Sequence, residues 1–263
     1  MEREQSIGLI RKELQAAADQ QLPDFVKKYE EDSRSGVQSL ISQAKKRMEA
    51  LEAEKQRIWE LSRYEREYAD MGYVCGIDEV GRGPLAGPVV AGAVILPKDC
   101  DILYINDSKK LSEKKREELY EVIMEKAVAV GIGMVGPGRI DEINILQATY
   151  EAMREAIGKL SVKPDILLND AVTIPGVAIR QVPIIKGDAK SISIGAASIV
   201  AKVTRDRMMV EYDKVMPEYG FAANKGYGAA AHIEALKKYG PSPIHRASFI
   251  KNFSNYSEPR QFS

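Results

Sequence analysis

The residues most able to do chemistry lie in one stretch, Gly76-Ile77-Asp78-Glu79-Val80-Gly81-Arg82-Gly83-Pro84-Leu85-Ala86-Gly87-Pro88. Two adjacent acids close an apolar segment and lead into a loop of glycines with one arginine. Carboxylate oxygens bind a divalent metal, whereas exposed backbone N–H groups and a guanidinium bind a phosphate or a sugar. Two further acids end apolar runs. Asp170 closes Ile166-Leu167-Leu168-Asn169-Asp170, and Asp188 follows Val182-Pro183-Ile184-Ile185-Lys186-Gly187. An acid at a strand end beside a loop is a usual ligand position in α/β sheets. Neighbours on a strand point to opposite faces, so Asp78 and Glu79 share a metal only if the chain bends at Glu79. Gly81 and Gly83 would permit that bend.

An all-oxygen set suits Mg²⁺ or Mn²⁺. Zinc is not expected: His232 and His245 lack ligand spacing, and Cys75 and Cys100 form no metal-binding or redox pair. No serine or cysteine sits in a nucleophile-elbow pattern. Metal-assisted phosphoryl transfer remains, in which two ions roughly 3.5–4 Å apart activate a water and stabilise the leaving oxygen. Each acid alone has a blander role, as a strand end, a turn residue or a helix cap. Gly81-x-Gly83-x-x-x-Gly87 fits a dinucleotide loop poorly, because its third glycine is displaced by one and Pro84 removes an N–H. Four strand-end acids together with the glycine-arginine loop are harder to explain structurally.

These groups need a scaffold, and the chain supplies one from Tyr73 onward. Tyr73–Ile77 and Val89–Leu96 read as buried strands. Asp107-Ser108 open a helix to about Lys126, with Leu111, Leu119, Val122, Ile123 and Met124 as inward positions. Ala127–Val135, Ile166–Asn169 and Val177–Ile185 read as strands. Ile145–Leu160, Ser191 to about Tyr212, and His232–Tyr239 read as helices. The pattern indicates a mixed α/β sheet with helices on both faces. Residues 1–71 differ, with Gly8 and Gly36 as their only glycines. They predict a helix over Ser6–Ala18, another from Pro23 bearing Phe25 and Tyr29, and a third from Val37 to Ala69. The simpler reading is a helical appendage; the sharper one is a clamp on a polymer or a partner protein. The expected division is therefore residues 1–71 and 72–263. Lys+Arg equals Asp+Glu at 38 each, so net charge names no partner. No apolar run is long enough for a membrane span, and no signal core begins the chain. A cytoplasmic protein without membrane contact is expected.

Residues 73–250 resemble the type 2 ribonucleases H, specifically bacterial ribonuclease HII. The resemblance rests on the stretch from Gly76 to Val90, on Asn106-Asp107-Ser108-Lys109-Lys110-Leu111-Ser112 and on Ile185-Lys186-Gly187-Asp188. It rests also on Ala196 to Asp206, on Asn224-Lys225-Gly226-Tyr227-Gly228 and on His245-Arg246-Ala247-Ser248-Phe249. The arginine of Gly81-Arg82-Gly83 separates the chain from the sister ribonuclease HIII. The family pattern carries glycine where this chain has Ala171.

The resemblance implies a ribonuclease H-like mixed sheet flanked by helices and preceded by an α-helical N-terminal segment. It implies that Asp78, Glu79, Asp170 and Asp188 are both the catalytic and the metal-holding acids, with Mn²⁺ or Mg²⁺ as cofactor. It implies cleavage of RNA in RNA–DNA hybrids and incision 5′ to single ribonucleotides in duplex DNA, leaving a 3′-hydroxyl and a 5′-phosphate. The corresponding roles are ribonucleotide excision repair and primer removal, by a monomer. It gives Gly81, Arg82 and Gly83 the ribose 2′-hydroxyl, the group that separates RNA from DNA, and sets Tyr227 on the sugar after the junction. Lys109, Lys186, Lys202 and Arg205 are candidate phosphate contacts; a solvated helix face is the alternative for Lys202 and Arg205. Two other readings compete: a hybrid-binding protein without catalysis, and a transposase- or integrase-like nuclease of the same fold. The intact acid set argues against the first, and the loop with Tyr227 against the second.

Overall fold

The computed structural model describes residues 5–253. Its contacts divide the chain into two compact units, meeting between Glu60 and Leu61. The first carries α1 (Ile7–Ala16), α2 (Leu22–Tyr29) and nearly all of α3 (Ser35–Leu61). Ser6 caps α1, and Ile10, Leu14, Leu22, Phe25, Tyr29, Val37, Leu40, Ile41 and Ala44 form one buried cluster. α3 stops at Leu61 and a short α4 (Arg63–Glu67) follows, where the sequence suggested one helix to Ala69. Tyr64 and Tyr68 pack against Val74, Ile166, Leu168 and Ile194, so this connector belongs to the second unit.

The second unit is built on five strands: β1 (Val74–Val80), β2 (Val89–Ile95), β3 (Ala129–Val135), β4 (Ile166–Asp170) and β5 (Arg180–Ile184). Their order is β3-β2-β1-β4-β5, with β2 antiparallel to both β1 and β3, and β4 parallel to both β1 and β5. Between them run α5 (Glu113–Lys126) and α6 (Pro137–Gly158), and beyond β5 come α7 (Ile192–Val215), the short α8 (Phe221–Asn224) and α9 (Ala230–Tyr239). The mixed α/β architecture agrees with the sequence reading. Cys75, Ile77, Val89, Ala91, Ala93 and Ile95 face α6 residues such as Ile140, Ala152 and Ala156. The opposite face receives α7.

Local chemistry explains where boundaries depart from the expected ones. Leu111 is extended and Ser112 accepts from Lys115 N–H, so α5 starts at Glu113, after a single 3₁₀ turn at Ser108–Lys110. In α5 only Leu119 and Ile123 are buried, while Met124 is exposed. Pro137 starts α6 earlier than expected. Its regular part nonetheless begins where the sequence put it: Asn144 breaks the helix with φ 67° and its carboxamide accepts from the N–H groups of Leu146 and Gln147.

At Gly76, α7 lies so close to β1 that no side chain fits between. A Cβ on Gly76 would sit 2.1 Å from the Ser193 carbonyl carbon. Ala171 has φ 56°, a left-handed conformation that favours glycine. Two stability changes follow, both measurable by denaturant unfolding. Gly76→Ala should destabilise by about 3 kcal/mol, because the clash is with backbone that cannot step aside. Ala171→Gly should stabilise by about 1 kcal/mol, since the relieved strain exceeds the added chain entropy of glycine.

Candidate active site

Parallel pairing builds the centre of the site. Ile77 pairs with Asn169, so the next residues, Asp78 and Asp170, stand side by side at the carboxyl ends of β1 and β4. Alternation directs both toward the α7 side, with Gly76 and Leu168. Asp188 arrives from the loop after β5, in a 3₁₀ turn over Gly187–Ala189. The Gly187 N–H donates to Asp170 Oδ1 at 2.7 Å, tying that turn to the end of β4. Lys186 precedes it in a left-handed conformation, with its side chain exposed.

Glu79 behaves differently from expectation. β1 stays in register with β2 through Val80, which pairs with Val90, so the turn comes at Gly81 (φ 87°) and not at Glu79. Glu79 therefore leaves the strand on the face opposite Asp78, yet without a bend its carboxylate stays within electrostatic reach of Asp78 and Asp170, and its Oε1 accepts from Arg82 Nη1 at 3.3 Å.

The acids disturb one another. Burial first, then the charge of Glu79, and Asp170 after it, hold the Asp78 carboxyl well above the usual range, against a lowering hydrogen bond from Ser198. Burial also raises Glu79, with Arg82 opposing and Asp170 adding. Asp188 is raised by burial, then by Asp107 and Asp170, while Lys109 opposes. Lys109 is the reciprocal case: burial lowers it, but Asp107, Asp188, Asp78 and Asp170 together raise it. Among the described residues, no three acid, histidine or cysteine side chains converge closely enough to clasp an ion as they stand. The donor chemistry nonetheless fits a hard divalent cation, since buried oxygens of like charge gain most from one.

Beside the acids lies the glycine-arginine loop, held by two buried arginines. Arg205 donates from Nε to Pro88 O (2.9 Å), from Nη1 to Lys225 O (2.8 Å) and from Nη2 to Ala86 O (3.0 Å). Arg246 donates to Gly81 O (2.5 Å), Arg82 O (2.9 Å) and twice to Gly87 O (3.0 and 2.8 Å). Gly226 O accepts from Leu85 N (2.8 Å), which brings Tyr227 alongside. A Cβ on Gly83 would be 3.9 Å from the Tyr227 ring. Arg82 and Tyr227 remain 45% (side chain) and 43% exposed, open to a ligand.

Arg205 is thus a correction. It is fully buried, so neither a phosphate contact nor a solvated face describes it. Spacing by four from the buried Ala201 and Met209 places it on the core face of α7, a signal present in the sequence. Lys202 is mostly covered and pairs with Asp206 at 2.7 Å, which also removes the solvated-face reading. Lys109 and Lys186 are exposed. Five contributors had no assigned role: Asp107, which crowds Asp188; Ser198, which hydrogen-bonds Asp78 and whose Oγ lies 2.9 Å from Ser108 Oγ; Arg246; and the two histidines. All but His232 lie in motifs quoted above.

Comparisons with known proteins find relatives along nearly the whole chain. A ribonuclease HII family model matches residues 75–252, and a model for the ribonuclease HII N-terminal domain matches residues 6–69. Ribonuclease HII of Lachnoclostridium phytofermentans is 67% identical over 249 residues, covering 95% of this chain and 98% of its own. That of Bacillus subtilis is 53% identical over 242 residues, covering 91% and 94%. Among solved structures, ribonuclease H2 from Pyrococcus horikoshii superposes with a TM-score of 0.58 at 29% identity, covering 70% of this chain and 100% of its own. With carboxylates and loop gathered at one end of a mixed sheet, and relatives aligned over nearly its whole length, the chain belongs to the ribonuclease HII family and is a ribonuclease H-type endonuclease of RNA–DNA hybrids.

Proposed function

We propose that Asp78, Glu79, Asp170 and Asp188 hold Mn²⁺ or Mg²⁺ and that the enzyme incises 5′ to single ribonucleotides in duplex DNA, leaving a 3′-hydroxyl and a 5′-phosphate. The observation that carries this is the placing of Asp78 and Asp170 one residue beyond the Ile77–Asn169 pair, beside a backbone loop and an exposed tyrosine. Divalent ions in that carboxylate set supply charge neutralisation and activation of the attacking water. The protein's own groups do the rest. The backbone of Gly81, Arg82 and Gly83 presents polar groups to the 2′-hydroxyl, and glycine lets main chain approach that closely. The Arg82 guanidinium is free to turn from Glu79 to a neighbouring phosphate. The flat ring of Tyr227 suits a deoxyribose face and accommodates a 2′-hydroxyl poorly. Lys109 and Lys186 contact phosphates, as does Lys202 when it releases Asp206; such contacts place the duplex without reading its sequence. The biological setting is ribonucleotide removal from DNA and RNA primer removal, by a cytoplasmic monomer.

The helices of residues 5–60 are proposed to extend the duplex contact. A chain beginning at residue 61 keeps the connector packed on the sheet, and it should fold and cleave. Its affinity for hybrid should fall less steeply with salt than that of the full chain; an unchanged slope would show that these helices touch no phosphate.

The central test is cleavage of duplex DNA carrying one ribonucleotide, with Mn²⁺ and with Mg²⁺. Uncut substrate in both would sink the proposal. Asp78→Asn should fold yet lose at least about a hundredfold in rate, the scale of removing one charge-stabilising group.

A further inference from the structure

The two histidines do not resemble a metal site in sequence, yet the fold stacks them into a buried chain of hydrogen bonds. His232 Nδ1 lies 2.8 Å from the Tyr227 carbonyl oxygen, and His232 Nε2 lies 3.0 Å from His245 Nε2. At the far end, Ser242 N–H donates to His245 Nδ1 at 2.9 Å, with the Ser242 hydroxyl 2.7 Å away.

Only one arrangement of protons satisfies all three links. A carbonyl oxygen can only accept, so His232 carries its proton on Nδ1. A backbone N–H can only donate, so His245 has its lone pair on Nδ1 and its proton on Nε2. His245 Nε2–H then donates to the lone pair of His232 Nε2. Both rings are neutral, and every nitrogen has a partner. An imidazolium at either position would set two donors face to face. The surroundings favour neutrality: Tyr219 and Phe221 wall the pair, with ring centroids 5.0–6.4 Å away. Burial lowers both histidines, and His245 falls to about 3, with His232 adding to the effect.

What the chain of bonds holds is the backbone of Tyr227. Its N–H donates to Asn224 O (2.9 Å), and its carbonyl, besides the histidine, takes the Ala229 N–H (2.8 Å). The residue after His245 is Arg246, whose guanidinium holds Gly81, Arg82 and Gly87. Two consecutive side chains thus reach the two halves of the sugar site: one fixes the loop, and the other fixes the tyrosine through His232.

We propose that His232 and His245 form a proton-ordered latch that positions Tyr227 against the 81–83 loop, and that this latch sets selectivity for the sugar that follows the scissile ribonucleotide. The inference rests on the sugar-reading role proposed above for Tyr227. Both histidines are positioning residues that act through it.

Two measurements on the full chain test it. Nitrogen-15 NMR of the histidine rings at pH 7 should show the Nδ1–H tautomer for His232 and the Nε2–H tautomer for His245. Reversed or mixed tautomers, or a charged ring, would overturn the latch whatever the enzyme does. The second measurement is a ratio, so it does not move when a variant merely loses active protein. It compares kcat/KM for one ribonucleotide followed by deoxyribose with kcat/KM for one followed by another ribose. His245→Phe should lower this ratio about tenfold, the scale of small pocket changes. Tyr227→Ala should lower it at least as far, and the double variant no further than Tyr227→Ala. Additive losses, or an unchanged ratio in His245→Phe, would overturn the proposal. A wild-type chain that cleaves hybrids without any preference would instead overturn the role of Tyr227, leaving the tautomer result to stand or fall by itself.

Discussion

Crowding of negative charge at one end of the sheet is the constraint the catalytic unit obeys. Parallel pairing of β1 and β4 leaves Asp78 and Asp170 no choice but to be neighbours, and burial raises the electrostatic demand. The surroundings answer in kind. Ser198 supplies a hydrogen bond to Asp78, Arg82 bonds Glu79, and Lys109 faces four acids at once. α7 brings Ser198 to this place because Gly76 lets its backbone rest directly on β1. That contact is between main chains, so the spacing does not depend on side-chain rotamers.

Beside the acids is a second device, the glycine loop. A loop without a strand partner leaves carbonyl oxygens that must find donors. Here buried guanidinium groups provide them, each a rigid planar fork able to serve several oxygens. Arg205 comes from α7 and Arg246 from the segment after α9, so the loop is braced from two independent directions. Charge-assisted bonds of this kind resist deformation, which suits a surface meant to distinguish one hydroxyl.

Much of this was legible because strand patterns and strand-end acids are local signals. Asp78, Asp170 and Asp188 come together by pairing rules that a buried apolar run already implies. Glu79 was less legible: whether the chain bends there depends on β2, whose register with β1 persists through Val80. Arg205 was misread because its charge outweighed its spacing, although four-residue steps to Ala201 and Met209 mark a core face. His232 and His245 lack ligand spacing in the sequence, and the bond they make is to each other, across thirteen residues that fold back through α9. The left-handed turn at Ala171 could be suspected only from the glycine expected at that position.

The bracing of the loop by Arg246 has a consequence for the order in which the enzyme comes into being. Gly81 and its brace are 165 residues apart in sequence. A chain emerging from the ribosome presents its first two acids early, and β4 and Asp188 well before Arg246. Residue 246 appears after all four acids. Contacts so distant in sequence form late. The sugar-reading surface is therefore completed only after the acids are made, so a growing chain carries its acids before it acquires the means to choose what they act on.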